Sequence, residues 1–169
     1  MIADNVETAP SAHLNFAKLY LQAAKLIIED EGGRKLLAMP VFMLVFHAME
    51  LALKAYLREK GIESKTLRLK YAHSLGKLYK KAKELGLRLE AGTVQDVENI
   101  VSLLDSGNKN YAFRYFSSQS TTRPDILWAF SVTDAFLAVI ALHVDIPTNP
   151  GPATKLDFII SKPRPRTHR

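Results

Sequence analysis

A chain of 169 residues can bury roughly 70% of its unfolded surface around one core, so a single domain that needs no disulfide or metal staple is expected. Cysteine is absent, which excludes a disulfide framework, a thiolate nucleophile and a Cys-ligated zinc site, and points to a reducing, cytoplasmic setting. The formal charge of +6 fits acidic or phosphate-bearing partners without singling them out.

The opening stretch, MIADNVETAPSAH, has acidic residues and no apolar run of the kind a secretory signal needs. Five segments then show helical periodicity, and none shows strand alternation. The first is expected from about Ala12 to Glu31, with Phe16, Tyr20, Ala23, Ala24, Ile27 and Ile28 on its inner side and Gly32-Gly33 as its stop. The second starts near Pro40, which suits a first helical turn, and ends at Gly61. The third runs from Ser74 to Leu85, with Leu75, Leu78, Tyr79, Ala82 and Leu85 on one stripe and Gly86 after it. The fourth opens at Thr93, three residues before Asp96, repeats apolar residues at Val94, Val97, Ile100, Val101 and Leu104, and closes at Gly107.

The fifth segment, Pro124 to about Val144, is apolar on almost every side. Its length approaches the roughly 20 residues of a membrane span, but Asp134 lies at its middle, where a carboxylate is costly in lipid. No membrane association is expected. The pattern predicts an all-α bundle of about five helices over residues 1–146, with the second and fifth helices innermost because they are apolar nearly all round. Residues 107–122, GNKNYAFRYFSSQSTT, form a long aromatic-rich loop, and residues 147–169 form an irregular, Pro-rich basic tail with a short strand signal at Leu156 to Ile160.

The second helix carries an anomaly. Within FHAMELALKAYLREKG, His47, Glu50, Lys54 and Arg58 fall on an arc of about 80° at 100° per residue, and the rest of the circumference is apolar. Glu50 and Lys54 stand in the favourable i, i+4 order, worth about 0.2 to 0.5 kcal/mol on an exposed helix. Such a seam either faces water or lines a groove or interface, where buried charges must be paired. His47 and Glu50 also have a metal-like spacing, but a di-iron bundle needs two Glu-x-x-His motifs and further glutamates, so neither a metal nor any other cofactor is expected.

The segments HAMELALKAYLREKG, YAHSLGKLYKKAKELGL and YAFRY together resemble the HEPN superfamily (higher eukaryotes and prokaryotes nucleotide-binding domains). There a Glu-Leu-x-Leu-Lys-x-Tyr-Leu helix is followed, after a short loop, by His-x-Leu opening the next helix. The helix order matches from about Ala12 to Val144, and the specific motifs are Glu50 to Leu57, His73 to Leu75 and Tyr111 to Tyr115. The resemblance implies a four- or five-helix up-and-down bundle, commonly a homodimer, found in toxin-antitoxin and other defence systems and beside nucleotidyltransferase-like partner proteins. Some members are metal-independent ribonucleases, with an Arg-x4-6-His motif at the start of a late helix. This chain departs from that motif: its last helix begins RPDILWAFSVTDAF, and no histidine follows Arg123 at the required interval. Arg68 and His73 do have that interval, but they precede the third helix.

No Ser-His-carboxylate set, Gly-rich phosphate loop or Walker-type lysine occurs. What remains is a set of cations and aromatics: Lys54, Arg58, Arg68, Lys70 and His73 near the junction of the second and third helices, and Tyr111, Phe113, Arg114, Tyr115 and Phe116 in the loop. Interleaved arginines and aromatics suit base stacking and phosphate neutralisation; equally, the tyrosines can pin the loop to the bundle while Arg114 pairs with a carboxylate. The expectation is a non-catalytic module for a nucleotide, RNA or protein partner, with Glu50, Lys54, Arg58, His73, Tyr111, Arg114 and Tyr115 as binding residues. The alternatives are a ribonuclease using His73 with Arg68 or Arg114, and a purely structural partner of a nucleotidyltransferase.

Overall fold

The computed structural model describes residues 9–30, 37–109 and 125–144. Among these every regular element is a helix, as the periodicity predicts. They are α1 (Pro10–Glu29), α2 (Ala38–Glu59), α3 (Ser64–Thr66), α4 (Leu75–Glu84), α5 (Ala91–Lys109) and α6 (Ile126–Ala141), with a π-helical turn, Leu67–Tyr71, between α3 and α4. The basic tail and the loop residues Tyr111, Phe113, Arg114, Tyr115 and Phe116 lie outside the described residues, as does the Gly32-Gly33 stop.

Local chemistry sets most boundaries. α1 begins on Pro10, whose absent N–H is no loss in a first turn. Ser74 Oγ caps α4 by accepting from Lys77 N at 3.4 Å, and Asp125 Oδ1 caps α6 by accepting from Trp128 N at 2.8 Å. α2 and α4 end in the same six-residue closure. Gly61 and Gly86 take φ of +82° and +93°, and the following residues bond back five positions, Ile62 N to Leu57 O at 2.9 Å and Leu87 N to Ala82 O at 3.0 Å. The fourth helix departs from its expected limits: Thr93 lies inside α5, which runs through Gly107 to Lys109. A helical glycine costs about 1 kcal/mol relative to alanine, too little to stop a helix whose Val97, Ile100, Val101 and Leu104 are buried.

α2 is the centre of the fold. α1 packs along it most extensively, α4 and α6 cover other sides, and α5 leans on α4 and α6. Its buried residues, from Val41 to Leu57, make up much of the core. Tyr56, almost fully buried, donates its hydroxyl to Leu85 O at 3.2 Å.

Two expectations about orientation change. α1 buries Leu14, Ala17, Leu21, Ala24 and Ile28, whereas Phe16, assigned to the inner side, is 57% exposed, together with Leu19 and Leu26 at 58% and 65%. This helix has two apolar stripes on nearly opposite sides, and α2 covers only one. α6 is a wall rather than a centre: Val132, Phe136, Leu137 and Ile140 are buried, while Leu127, Ser131, Asp134, Ala135 and Ala138 are exposed. Its apolar look all round comes from small residues outside, and Asp134 needs no partner there because it reaches water. Among the described residues one helix, α2 rather than α6, is long and apolar enough to cross a membrane, and 56% of its most apolar stretch is buried within the bundle.

Candidate functional site

The polar seam of α2 is buried at Glu50 and partly covered at His47, Lys54 and Arg58. Glu50 is 3% exposed and the Lys54 side chain 14%. A carboxylate removed from water costs several kcal/mol unless charges and donors surround it, and Glu50 has nitrogen neighbours on three sides. Lys54 Nζ donates to Oε1 from one turn further along. His73 Nδ1 donates to Oε1 at 3.0 Å and lies 3.3 Å from Oε2. His47 Nδ1 stands 3.8 Å from Oε2, with its ring 5.3 Å from that of Tyr20 on α1. The i, i+4 pair that would count for little on a surface is therefore the counter-charge of a buried group.

The chain between α2 and α4 delivers His73. Arg58 Nη1 donates to Ile62 O at 2.9 Å, tying the end of α2 to the start of this segment. Leu67 and Tyr71 plug into the core, and the π turn closes with Ala72 N bonded to Leu67 O at 2.9 Å. Single π turns occur mostly where function or strain demands an extra residue.

Ala72 then takes φ +46°, ψ −114°, and Ser74 N bonds to Tyr71 O at 3.0 Å. Tyr71 to Ser74 is thus a type II′ turn with alanine at the first central position, where glycine is the natural occupant. Holding an L-residue there costs about 1–3 kcal/mol. His73 occupies the second central position, its carbonyl held by Asn108 Nδ2 of α5 at 3.4 Å. The next residue, Ser74, donates its Oγ to Asp105 Oδ2 at 3.5 Å.

The turn, the π segment and the first turn of α1 enclose a cavity of about 240 Å³ lined by His13, Lys54, Ser64, Leu67, Arg68, Ala72 and His73. His13 Nδ1 donates to Ala9 O at 3.3 Å. Burial lowers the His13 pKa, with Lys54 and Arg58 adding to the effect and the Ala9 bond and Glu50 opposing it. The result is a neutral imidazole at pH 7 beside fixed cations. Ser64 Oγ is shut off from solvent and makes no hydrogen bond. Because Glu50 accepts the hydrogen bond from His73 Nδ1, the exposed ring keeps Nε2 for another group.

Of the binding residues expected from sequence, Glu50, Lys54 and His73 converge, and Arg68 joins them on the cavity wall. Arg58 ties the junction behind the cavity instead of lining it. His13, Ser64 and Ala72 carried no sequence signal: each reaches the site through packing or turn geometry. A larger opening of 880 Å³ lies between α4 and α5. Its charges include Lys83 and Glu98, paired with each other at 2.7 Å, beside Lys80, Glu84 and Asp105. Among the described residues no group of three or more His, Asp or Glu side chains is placed to hold a metal ion.

Chemically, the small cavity offers two fixed cations, a hydroxyl and two imidazoles, a set suited to an anion. No protein-family model, curated protein or solved structure matches the chain.

Proposed function

We propose that the chain is a non-catalytic helical module of HEPN type that binds a nucleotide or RNA through the cavity beneath the Tyr71–Ser74 turn. The observation that carries this reading is the gathering of Lys54, Arg68, His13 and His73 around one small cavity, with Glu50 buried beneath to hold Lys54 and His73 in place. Titrating the purified chain with nucleotides and short RNAs at low salt tests it. Binding should weaken as salt rises and fall in Arg68→Ala. Absence of binding at any salt removes the reading.

One observation favours a second reading, a metal-independent ribonuclease. A histidine whose Nδ1 proton rests on a buried carboxylate, with Nε2 uncommitted and an arginine on the same wall, has the orientation that general acid–base catalysis uses. RNA cleavage that disappears in His73→Ala would select this reading, and cleavage that survives the substitution would remove His73 from it.

A homodimer belongs to the leading proposal, supported by the uncovered apolar stripe of Phe16, Leu19 and Leu26 on α1. Sedimentation should give a dimer that Leu19→Lys splits, and a monomer at all concentrations would rule this out.

A further inference from the structure

The character of the cavity narrows the ligand. At about 240 Å³ it falls below the roughly 300 Å³ at which pockets for whole drug-sized molecules begin. A whole nucleotide exceeds this volume, so one end sits in the cavity and the rest lies over its open side, where Arg68 and His73 are exposed. The walls decide which end. Leu67 and Ala72 are the apolar lining, with no Phe, Tyr or Trp beside them among the described residues; the rings on the wall are the His13 and His73 imidazoles, smaller and more polar stacking faces. The remaining lining residues are His13, Lys54, Ser64, Arg68 and His73.

That set also distinguishes between kinds of phosphate. A bridging phosphodiester presents two free oxygens and one negative charge. A terminal phosphomonoester presents three acceptor oxygens and about −1.5 to −2 charges at pH 7. Lys54 has three donor hydrogens and uses one on Glu50, whose charge it matches, and the Arg68 guanidinium lies on the same wall. Ser64 adds a buried hydroxyl with no hydrogen bond, a state that costs about 1–3 kcal/mol until a partner arrives. A turn about χ1 between staggered rotamers lets a serine on the wall donate into the cavity. The strained Ala72 adds a further sign, since backbone held in a sparsely populated conformation clusters at ligand clamps.

We infer that the cavity is a subsite for a terminal phosphomonoester, with Ser64 donating to one oxygen and the two remaining Lys54 donors to the others. The inference rests on the nucleotide or RNA reading above and narrows it to a phosphorylated end. A free nucleoside monophosphate and the phosphorylated end of an RNA share this chemistry, and the rest of either molecule lies outside the cavity.

The test compares one short RNA with a 5′-phosphate, the same RNA with a 5′-hydroxyl, and a nucleoside monophosphate with its parent nucleoside, each titrated against the full chain. The phosphorylated form of at least one pair should bind about tenfold or more tightly than its unphosphorylated counterpart, and inorganic phosphate should displace it. Ser64→Ala should remove roughly tenfold from that form alone, the scale of a hydrogen bond to a charged group. The pair that shows the difference identifies the source of the phosphate.

Unphosphorylated RNA that binds as tightly as phosphorylated RNA, with inorganic phosphate unable to displace it, would overturn the subsite and leave the wider reading standing. Failure of every RNA and nucleotide to bind would overturn both. Displacement by inorganic phosphate is read on the unmodified chain, so the proposal stays testable even if Ser64→Ala unfolds.

Discussion

The connection from α2 to α4 and the one from α4 to α5 begin with the same backbone, a left-handed glycine whose neighbour bonds back five residues. After Gly86 the chain goes directly on: Leu87 is buried, Arg88 Nη1 donates to Lys83 O and Leu87 O at 3.3 Å each, and α5 starts at Ala91. After Gly61 the chain makes a short helix, a π turn and a strained alanine before α4 begins. Both connections solve the same problem of leaving one helix for the next, so helix termination alone does not require the detour. What the detour adds is His73 on Glu50, and with it a cavity. Strain confined to one of two otherwise similar connections marks the one under a second constraint.

The sharpest way to break this comparison is to remove the plug from each connection. Leu67 and Leu87 are both almost fully buried, so Leu67→Ala and Leu87→Ala should each cost about 2–4 kcal/mol in denaturant unfolding. Only Leu67→Ala should also weaken ligand binding by the folded protein, because Leu67 lines the cavity. Equal effects on binding would erase the distinction.

Next in size is Glu50→Gln, which leaves the Lys54 ammonium and the His73 turn without the carboxylate charge they share and with one acceptor oxygen in place of two. A loss of about 2–3 kcal/mol is expected, somewhat under the range for breaking a fully buried pair. Adding Lys54→Met should recover part of it, and strict additivity in the double-mutant cycle would show that the two groups are not coupled.

The backbone offers a finer test. Neither Gly61 nor Gly86 has an atom within 4 Å of an added Cβ, so alanine at either should cost about 1 kcal/mol through φ alone. Ala72→Gly should do the reverse, raising stability by about 0.5–1 kcal/mol as strain is relieved and weakening ligand binding as the turn loosens. A destabilised Ala72→Gly would contradict the strain assignment.

The smallest effect is in pH. The His13 pKa is lowered in the folded chain, chiefly by burial, so below the unfolded value of about 6.5 the unfolded chain binds a proton first. Stability is therefore full above that pH and declines as pH falls through the folded pKa. His13→Asn should flatten that part of the stability profile, and an unchanged slope would show that His13 does not cause it.

Much of this was legible in sequence because it is local. The seam of His47, Glu50, Lys54 and Arg58 follows from the helical repeat, and Gly61 and Gly86 are helix stops legible from the glycine, whereas Gly107 reads the same way yet lies inside α5. The choice between two apolar stripes on α1 was not local: Phe16 and Leu14 look alike until α2 arrives to cover one of them. His13 and Ser64 enter the cavity only once α1 and the π segment have docked on α2. Ala72 was hidden for a different reason, since a turn that prefers glycine is recognised by its glycine, and here there is none. Arg58 could be read as polar, but its carbonyl partner depends on the turn made after Gly61. Tyr111, Arg114 and Tyr115 lie outside the described residues.

The hydrogen bond from Asn108 to the His73 carbonyl also has a consequence in time. It spans 35 positions of chain, while Glu50 and His73 are 23 apart, so the cavity joins segments that meet only after their helices have docked. Contacts of long sequence separation carry a loop-closure cost that local helices do not. During refolding, helical circular dichroism should therefore recover before ligand binding does, and a stopped-flow trace with both signals rising together would contradict this order. A ligand that recognises only the completed cavity would then act as a latch, slowing the opening of the bundle more than it speeds the closing.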